Sequence, residues 1–246
     1  MHGTADSAPT RTAAARNKYT QYGEMAASLN LRYKKAQRSE QMDFDFTPYF
    51  KRYETLLKLA DQAFQRVSKE YPENVRCRSG CSDCCHALFD LTLIEALYIN
   101  QKFNEKYKGP EREALLEKAN KLDRQIARIK RQAGRDLQNG KSEKEILEEL
   151  ARMRVPCPLL NDQELCELYE FRPITCRFYG IPTAIGGAGH TCGLSGFEAG
   201  RSYPTVNLDR IHQELQHITA ELVRDMGSKF IKLSDLLVPL SMALVT

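Results

Sequence analysis

The chain reads as a mainly α protein, a helical shell around a cysteine-rich, loop-dominated centre with two short strands. Three observations predict it. Apolar residues recur at three- and four-residue intervals over long stretches toward both ends, the stripe of helices with one buried face. From Val155 to Tyr203 the texture changes to Pro, Gly and Cys with short apolar runs, which reads as loops. The eight cysteines are clustered and not scattered.

The elements follow in order. Met1 to Asn17 lacks an apolar h-region and carries Arg11 and Arg16 among Ala, Thr and Ser, so residues 1–17 read as a disordered leader and not a secretory signal. Residues 18–246 read as a single domain. Lys18 to Arg38, alternately basic and apolar, suggests a loose helix. A stronger helix begins near Thr47, with Leu56, Leu57, Ala60, Ala63, Phe64 and Val67 on one stripe, and Pro72 marks its end. A cysteine loop follows. Leu91 to Tyr107 then reads as a second helix, with Leu93, Ile94, Leu97 and Tyr98 sharing a face. In the charged segment 111–154, Leu115, Ala119, Leu122, Ile126 and Ile129 form a narrow apolar seam that Gly134 and Asn139-Gly140 are expected to break. A helix from Ser142 to Met153 completes a charged helical hairpin insert, with Ser142 and Glu145 spaced as a capping box. The two short strands are placed near Cys157–Leu160 and Leu165–Tyr169. Leu208, Ile211, Leu215, Ile218 and Leu222 mark a C-terminal helix that Gly227 stops.

Composition narrows the function. At 246 residues, 42% hydrophobic and 28% charged, the chain buries a real core. Its longest apolar segment, Leu236 to Val245, is short and holds Pro239 and Ser241, so no membrane span is expected. Thirty-six basic against 32 acidic residues is no concentrated basic footprint, which makes nucleic acid an unlikely partner. Eight cysteines are about 3% of the chain, below the roughly 8–10% of a disulfide scaffold. The expected compartment is the reducing cytoplasm, where clustered cysteines are more often metal ligands or catalysts than disulfides.

The first cluster, Cys77-Arg-Ser-Gly-Cys81-Ser-Asp-Cys84-Cys85-His86, puts four thiols in nine residues on a turn-prone loop. Gaps of two or three residues let a tight turn aim successive sulfurs inward at a thiolate-bound metal. Adjacent Cys84 and Cys85 point apart in extended backbone, so two metals, or a multinuclear cluster, suit them better than one tetrahedral ion. The second cluster comprises Cys157 in Pro-Cys-Pro-Leu-Leu, Cys166 in Cys-Glu-Leu-Tyr, Cys176 in Arg-Pro-Ile-Thr-Cys-Arg-Phe-Tyr, and Cys192 after a Gly-rich turn. Pro173 suits the first turn of a short helix, where amide donors would favour a thiolate at Cys176, while Arg172 and Arg177 would offset thiolate charge. His86 and His190 adjoin the clusters as further ligand candidates, set against simple solvation. His212 and His217, five apart, do not share a metal-binding face. Tyr169, Phe171, Phe178 and Tyr179 are expected to shield the centre.

These motifs resemble the YkgJ-like cysteine-cluster family, the zinc- or iron-chelating proteins marked by a CxxCxxCC-type motif. The resemblance covers residues 77–86 and 156–192, and the first gap here holds three residues where the family's name implies two. It implies eight metal ligands: Cys77, Cys81, Cys84, Cys85, Cys157, Cys166, Cys176 and Cys192. Zinc would use all eight thiolates in two closed sites, whereas a [4Fe-4S] cluster needs four, so both stay open. Similar cysteine clusters occur in flagellin lysine N-methylases, which gives an iron-sulfur enzyme with lysine methylase-like activity as an alternative. Cys77, Cys81 and Cys84 match a radical enzyme's Cys-x3-Cys-x2-Cys spacing, but no barrel-like alternation accompanies them. A second alternative is a zinc-stapled interaction module presenting the hairpin to a protein partner.

Overall fold

The computed structural model describes residues 44–228 and 230–245; the expected leader and the loose helix 18–38 lie outside them. The described residues fall into two compact units, 124–153 on the one hand and 44–123 with 154–245 on the other. The architecture is mainly helical with a few short strands, as the sequence predicts.

Helix α1 spans Thr47–Glu70 and buries Tyr49, Phe50, Tyr53, Leu57, Ala60 and Val67. Pro48 occupies its first turn, where the missing N–H has no helical partner to lose. It ends at Tyr71, immediately before Pro72. The second helix, α2, runs Leu93–Lys106, two residues later than its apolar pattern suggests. Thr92 and Glu95 form a capping box that sets this start. That leaves Asp90–Thr92 free to form strand β1, which pairs antiparallel with β5 (Leu237–Pro239), Leu91 opposite Val238.

Helix α3 spans Gly109–Gln138. Gly134 does not break it, because one interior glycine costs only about 1 kcal/mol against alanine. The stop falls at Asn139-Gly140, with Gly140 at φ +93°. In unit 124–153, helix α4 (Glu143–Arg152) carries the capping box the sequence predicts, Glu145 N–H donating to Ser142 Oγ at 3.2 Å and Ser142 N–H to Glu145 Oε2 at 3.0 Å. Ile126, Ala133 and Ile146 are its buried apolar residues.

The remaining elements are α5 (Ile174–Phe178), the hairpin β2 (Thr183–Ile185) and β3 (Ala188–His190), β4 (Val206–Asn207) parallel to β2, α6 (Leu208–Asp225) and α7 (Leu240–Val245). Gly186 and Gly187, both at positive φ (56° and 79°), supply the two-residue turn of that hairpin. The strands expected near Cys157–Leu160 and Leu165–Tyr169 shrink to one antiparallel bridge, Leu160 with Cys166. Asn161 Oδ1 accepts the N–H groups of Gln163 (3.0 Å) and Leu165 (2.9 Å), so a side chain takes donors that a longer ladder would need.

Two apolar cores position the site. One joins α1, α2, α5 and α6 through Tyr53, Ile94, Ile174, Leu215 and Leu222. The other packs Leu91, Ile99 and Phe103 against Leu159, Leu168 and Leu244, with Cys157 and Cys166 at its border. Phe171 packs on both, so the segment from Cys157 to Phe178 is anchored at each end. Among the described residues, no helix is long and apolar enough to cross a membrane.

Candidate metal centre

Clusters seventy residues apart meet through backbone pairing. Val155 N–H donates to His86 C=O (3.0 Å) and Cys157 N–H to Cys85 C=O (2.6 Å), while Ala87 and Arg154 form an antiparallel bridge. The Arg154 guanidinium completes the seam by donating to Asp83 Oδ1 (2.6 Å) and Asp83 C=O (3.0 Å).

Asp83–His86 is a 3-10 turn, closed by Cys85 N–H to Ser82 C=O at 2.9 Å and Ala87 N–H to Cys84 C=O at 3.3 Å. Successive side chains in such a turn diverge by about 120° and not by the near-opposition of a strand. Cys84 and Cys85 therefore do not face away from each other as strand neighbours would. The neighbouring Cys176 thiol, then that of Cys85, holds Cys84 far below its ordinary range. Cys176 and Cys85 are correspondingly pushed up, each chiefly by Cys84. Helix α5 does start after Pro173, yet Cys176 is pushed up and not down, chiefly by neighbouring Cys84 and by burial.

Cys157 and Cys166 interact electrostatically with this trio, and burial pushes both up, Cys157 to about 12. Cys77, Cys81 and Cys192 form the other side. Cys77 hydrogen-bonds Cys81 and interacts with Cys84 and Cys192; desolvation raises it to about 11. Cys192 Sγ lies 3.5 Å from Asp83 Oδ2. All eight cysteines are free thiols in two neighbouring groups, with Cys84 interacting with both. Among the described residues, no three His, Cys, Asp or Glu side chains close on a single metal position.

A repeated local device holds three of the sulfurs. Leu194 N–H donates to Cys192 Sγ at 3.4 Å, and the backbone at Leu159 and Leu168 favours the charged form of Cys157 and Cys166 in the same sense. In each case the backbone is that of a leucine two residues on: Cys157-Pro-Leu159, Cys166-Glu-Leu168, Cys192-Gly-Leu194. Amide donors stabilise sulfur in its charged, metal-ligating form. The recurring Cys-x-Leu was the sequence signal for this device.

Glycines fix the approach of the loops. A Cβ on Gly180 (φ +101°) would meet Cys77 Cβ at 3.0 Å. Gly196 N–H donates to Asn74 C=O at 2.8 Å and the Asn74 side-chain Nδ2 donates to Gly196 C=O at 2.5 Å, which ties the Cys192 loop to the Cys77 loop.

Other expected partners are engaged elsewhere. Arg177 is buried and donates to Asp61 Oδ2 (2.5 Å) and to the carbonyls of Glu170 (2.5 Å) and Arg172 (3.1 Å). Arg172 stacks on Tyr169 and lies 3.6 Å from Asp61. Both arginines thus answer the Asp61 carboxylate. His86 Nδ1 is 3.1 Å from Ser82 C=O, and His190 is exposed on β3. Phe178 is buried as expected, but Tyr169 is 62% exposed and shields nothing.

No curated protein and no solved structure matches the chain. A family model does, over residues 76–193, a span that takes in both cysteine clusters. Its description is CxxCxxCC, "putative zinc- or iron-chelating domain". The cysteine-bearing stretch from residue 76 to residue 193 belongs to the CxxCxxCC family.

Proposed function

We propose that this protein holds zinc or iron through its eight thiols, Cys84, Cys85, Cys157, Cys166 and Cys176 on one side and Cys77, Cys81 and Cys192 on the other. The observation that carries the reading is the Leu194 N–H aimed at Cys192 Sγ (3.4 Å), with the backbone at Leu159 and Leu168 favouring charged sulfur at Cys157 and Cys166. A thiol that only fills a core gains little from a donor aimed at its sulfur, whereas a thiolate ligand gains charge stabilisation from it. The mutual influence of Cys84, Cys85 and Cys176 on one another's protonation supports the same reading, since a metal ion takes the place of thiol protons. The clusters meet only in the folded chain, so metal affinity would add to folding stability.

The test is anaerobic purification without added metal, then zinc, iron and acid-labile sulfide per chain for the wild type and for Cys176→Ser and Cys192→Ser. Each variant is expected to lose bound metal, and unchanged metal content in both would sink the assignment. Zinc without sulfide would identify thiolate sites; iron with sulfide and a brown colour that bleaches in air would identify a cluster, the outcome an iron-sulfur enzyme requires.

A further inference from the structure

Arg154, Arg172 and Arg177 each face a carboxylate, Asp83 or Asp61. Arg76 and Arg78, either side of Cys77, differ: neither makes an ion pair with any described residue. Both line a cavity of about 670 Å³ whose wall includes Cys77, Cys81, Cys84, Cys192 and Tyr179. That volume lies within the roughly 300–1,000 Å³ typical of small-molecule sites. Guanidinium groups stay charged at all working pH values and present paired N–H donors that match carboxylate or phosphate oxygens. The Arg76 guanidinium lies beside Gly196, where a Cβ would come within 3.4 Å of its Nη2. A divalent ion with the four thiolates of this wall would carry −2, which the two arginines balance, so their unpaired N–H donors and not a net charge favour an oxyanion here.

We infer that this cavity receives a small organic oxyanion, a carboxylate or a phosphate ester, gripped by Arg76 and Arg78 beside the Cys77, Cys81 and Cys192 thiols. The inference rests on the metal reading for what lies beside the ligand, not for whether the ligand binds. It sets Cys77, Cys81, Cys84 and Cys192 on a chamber open to exchange, whereas Cys157 and Cys166 border the apolar core.

The probes are inorganic phosphate and succinate, used in equilibrium dialysis with the full chain. Saturable binding of at least one probe at one site per chain is expected, and the preferred probe identifies the oxyanion class. Arg76→Gln and Arg78→Gln should each weaken it roughly ten-fold, the value of one charge-assisted hydrogen bond, with metal content unchanged. The inference is overturned if neither probe binds saturably, if both variants bind like the wild type, or if the variants lose metal together with the probe, since the arginines then serve thiolate charge. A metal-free chain that still binds the probe in an arginine-dependent way would keep this inference while removing the metal reading. A metal-loaded chain that binds neither probe would do the reverse.

Discussion

Glu95 Oε1, on α2, accepts the backbone N–H of Ile174, the first residue of the helix that carries Cys176, at 3.2 Å. The other carboxylate oxygen accepts Thr92 N–H (3.1 Å) and Thr92 Oγ1–H (2.9 Å), and the side chain is buried. One carboxylate thus caps its own helix and seats a cysteine-bearing one.

Glu95→Gln keeps the shape but replaces one acceptor oxygen by a donor, leaving a buried N–H without a partner. The expected loss is about 1–3 kcal/mol, seen as a fall in Tm of several degrees. The pH dependence has a definite sign. Burial is the largest influence on Glu95 and raises its carboxyl above the ordinary 4.5. Its contribution to stability is therefore complete below about pH 4.5 and is lost as pH rises through the folded-state value. The Tm gap between wild type and variant should be wider at about pH 5 than at about pH 8. A gap that widens with pH would show that the donors outweigh burial.

Gly180→Ala and Gly80→Ala form a matched pair. Both glycines have positive φ, but a Cβ at Gly80 meets nothing within 4 Å, whereas at Gly180 it runs into Cys77. Gly80→Ala should cost only the backbone term, about 1 kcal/mol. Gly180→Ala should cost about twice that or more and reduce metal content, because Cys77 must move. Equal Tm and equal metal in the two variants would remove Gly180 as a spacer.

Leu194→Pro deletes the N–H aimed at Cys192 Sγ on an exposed loop residue, so little packing is lost. Metal affinity, measured by chelator competition, should fall about ten-fold or more, in the range seen for ligand-supporting partners. Leu194→Ala keeps the amide and should bind like the wild type. If both variants weaken affinity alike, the leucine side chain and not the amide is responsible.

Asp61→Asn removes the carboxylate facing buried Arg177, whose side chain is only 6% exposed. The expected cost is about 2 kcal/mol, below that of a fully buried pair because Asp61 itself is partly open to water. Thermal unfolding should report it, together with loosening of the Cys176 helix in amide exchange. An unchanged Tm would mean that the two carbonyl acceptors suffice for the guanidinium.

What sequence alone reveals here follows the range of the interactions. Helix α1 with its Pro72 stop, the Ser142–Glu145 cap and the C-terminal helix rest on neighbours within a few residues, and all are readable. The pairing of Leu91 with Val238 joins three-residue strands far apart in the chain, too short for an alternating pattern to betray them. The eight thiols were visible as candidates, but their grouping was not, because it depends on the contact of residues 85–87 with 154–157 and on the 3-10 turn at Cys84. Arg177 misled for the same reason: its carboxylate, Asp61, lies on a helix more than a hundred residues earlier, whereas Arg172, though it also faces Asp61, acts on Cys166 in the direction the sequence suggests.

The antiparallel bridge between Ala87 and Arg154 makes the chain depart from and return to one place beside the thiols. Whatever is threaded between those two residues is a closed excursion whose ends are already held. The entropy of closing it grows only with the logarithm of its length, about 0.6 kcal/mol per doubling. Within it, Leu91, Glu95, Ile99 and Phe103 hold the cysteine-bearing segments, so the stretch that can be lengthened, shortened or exchanged while the sulfurs keep their positions is 124–153.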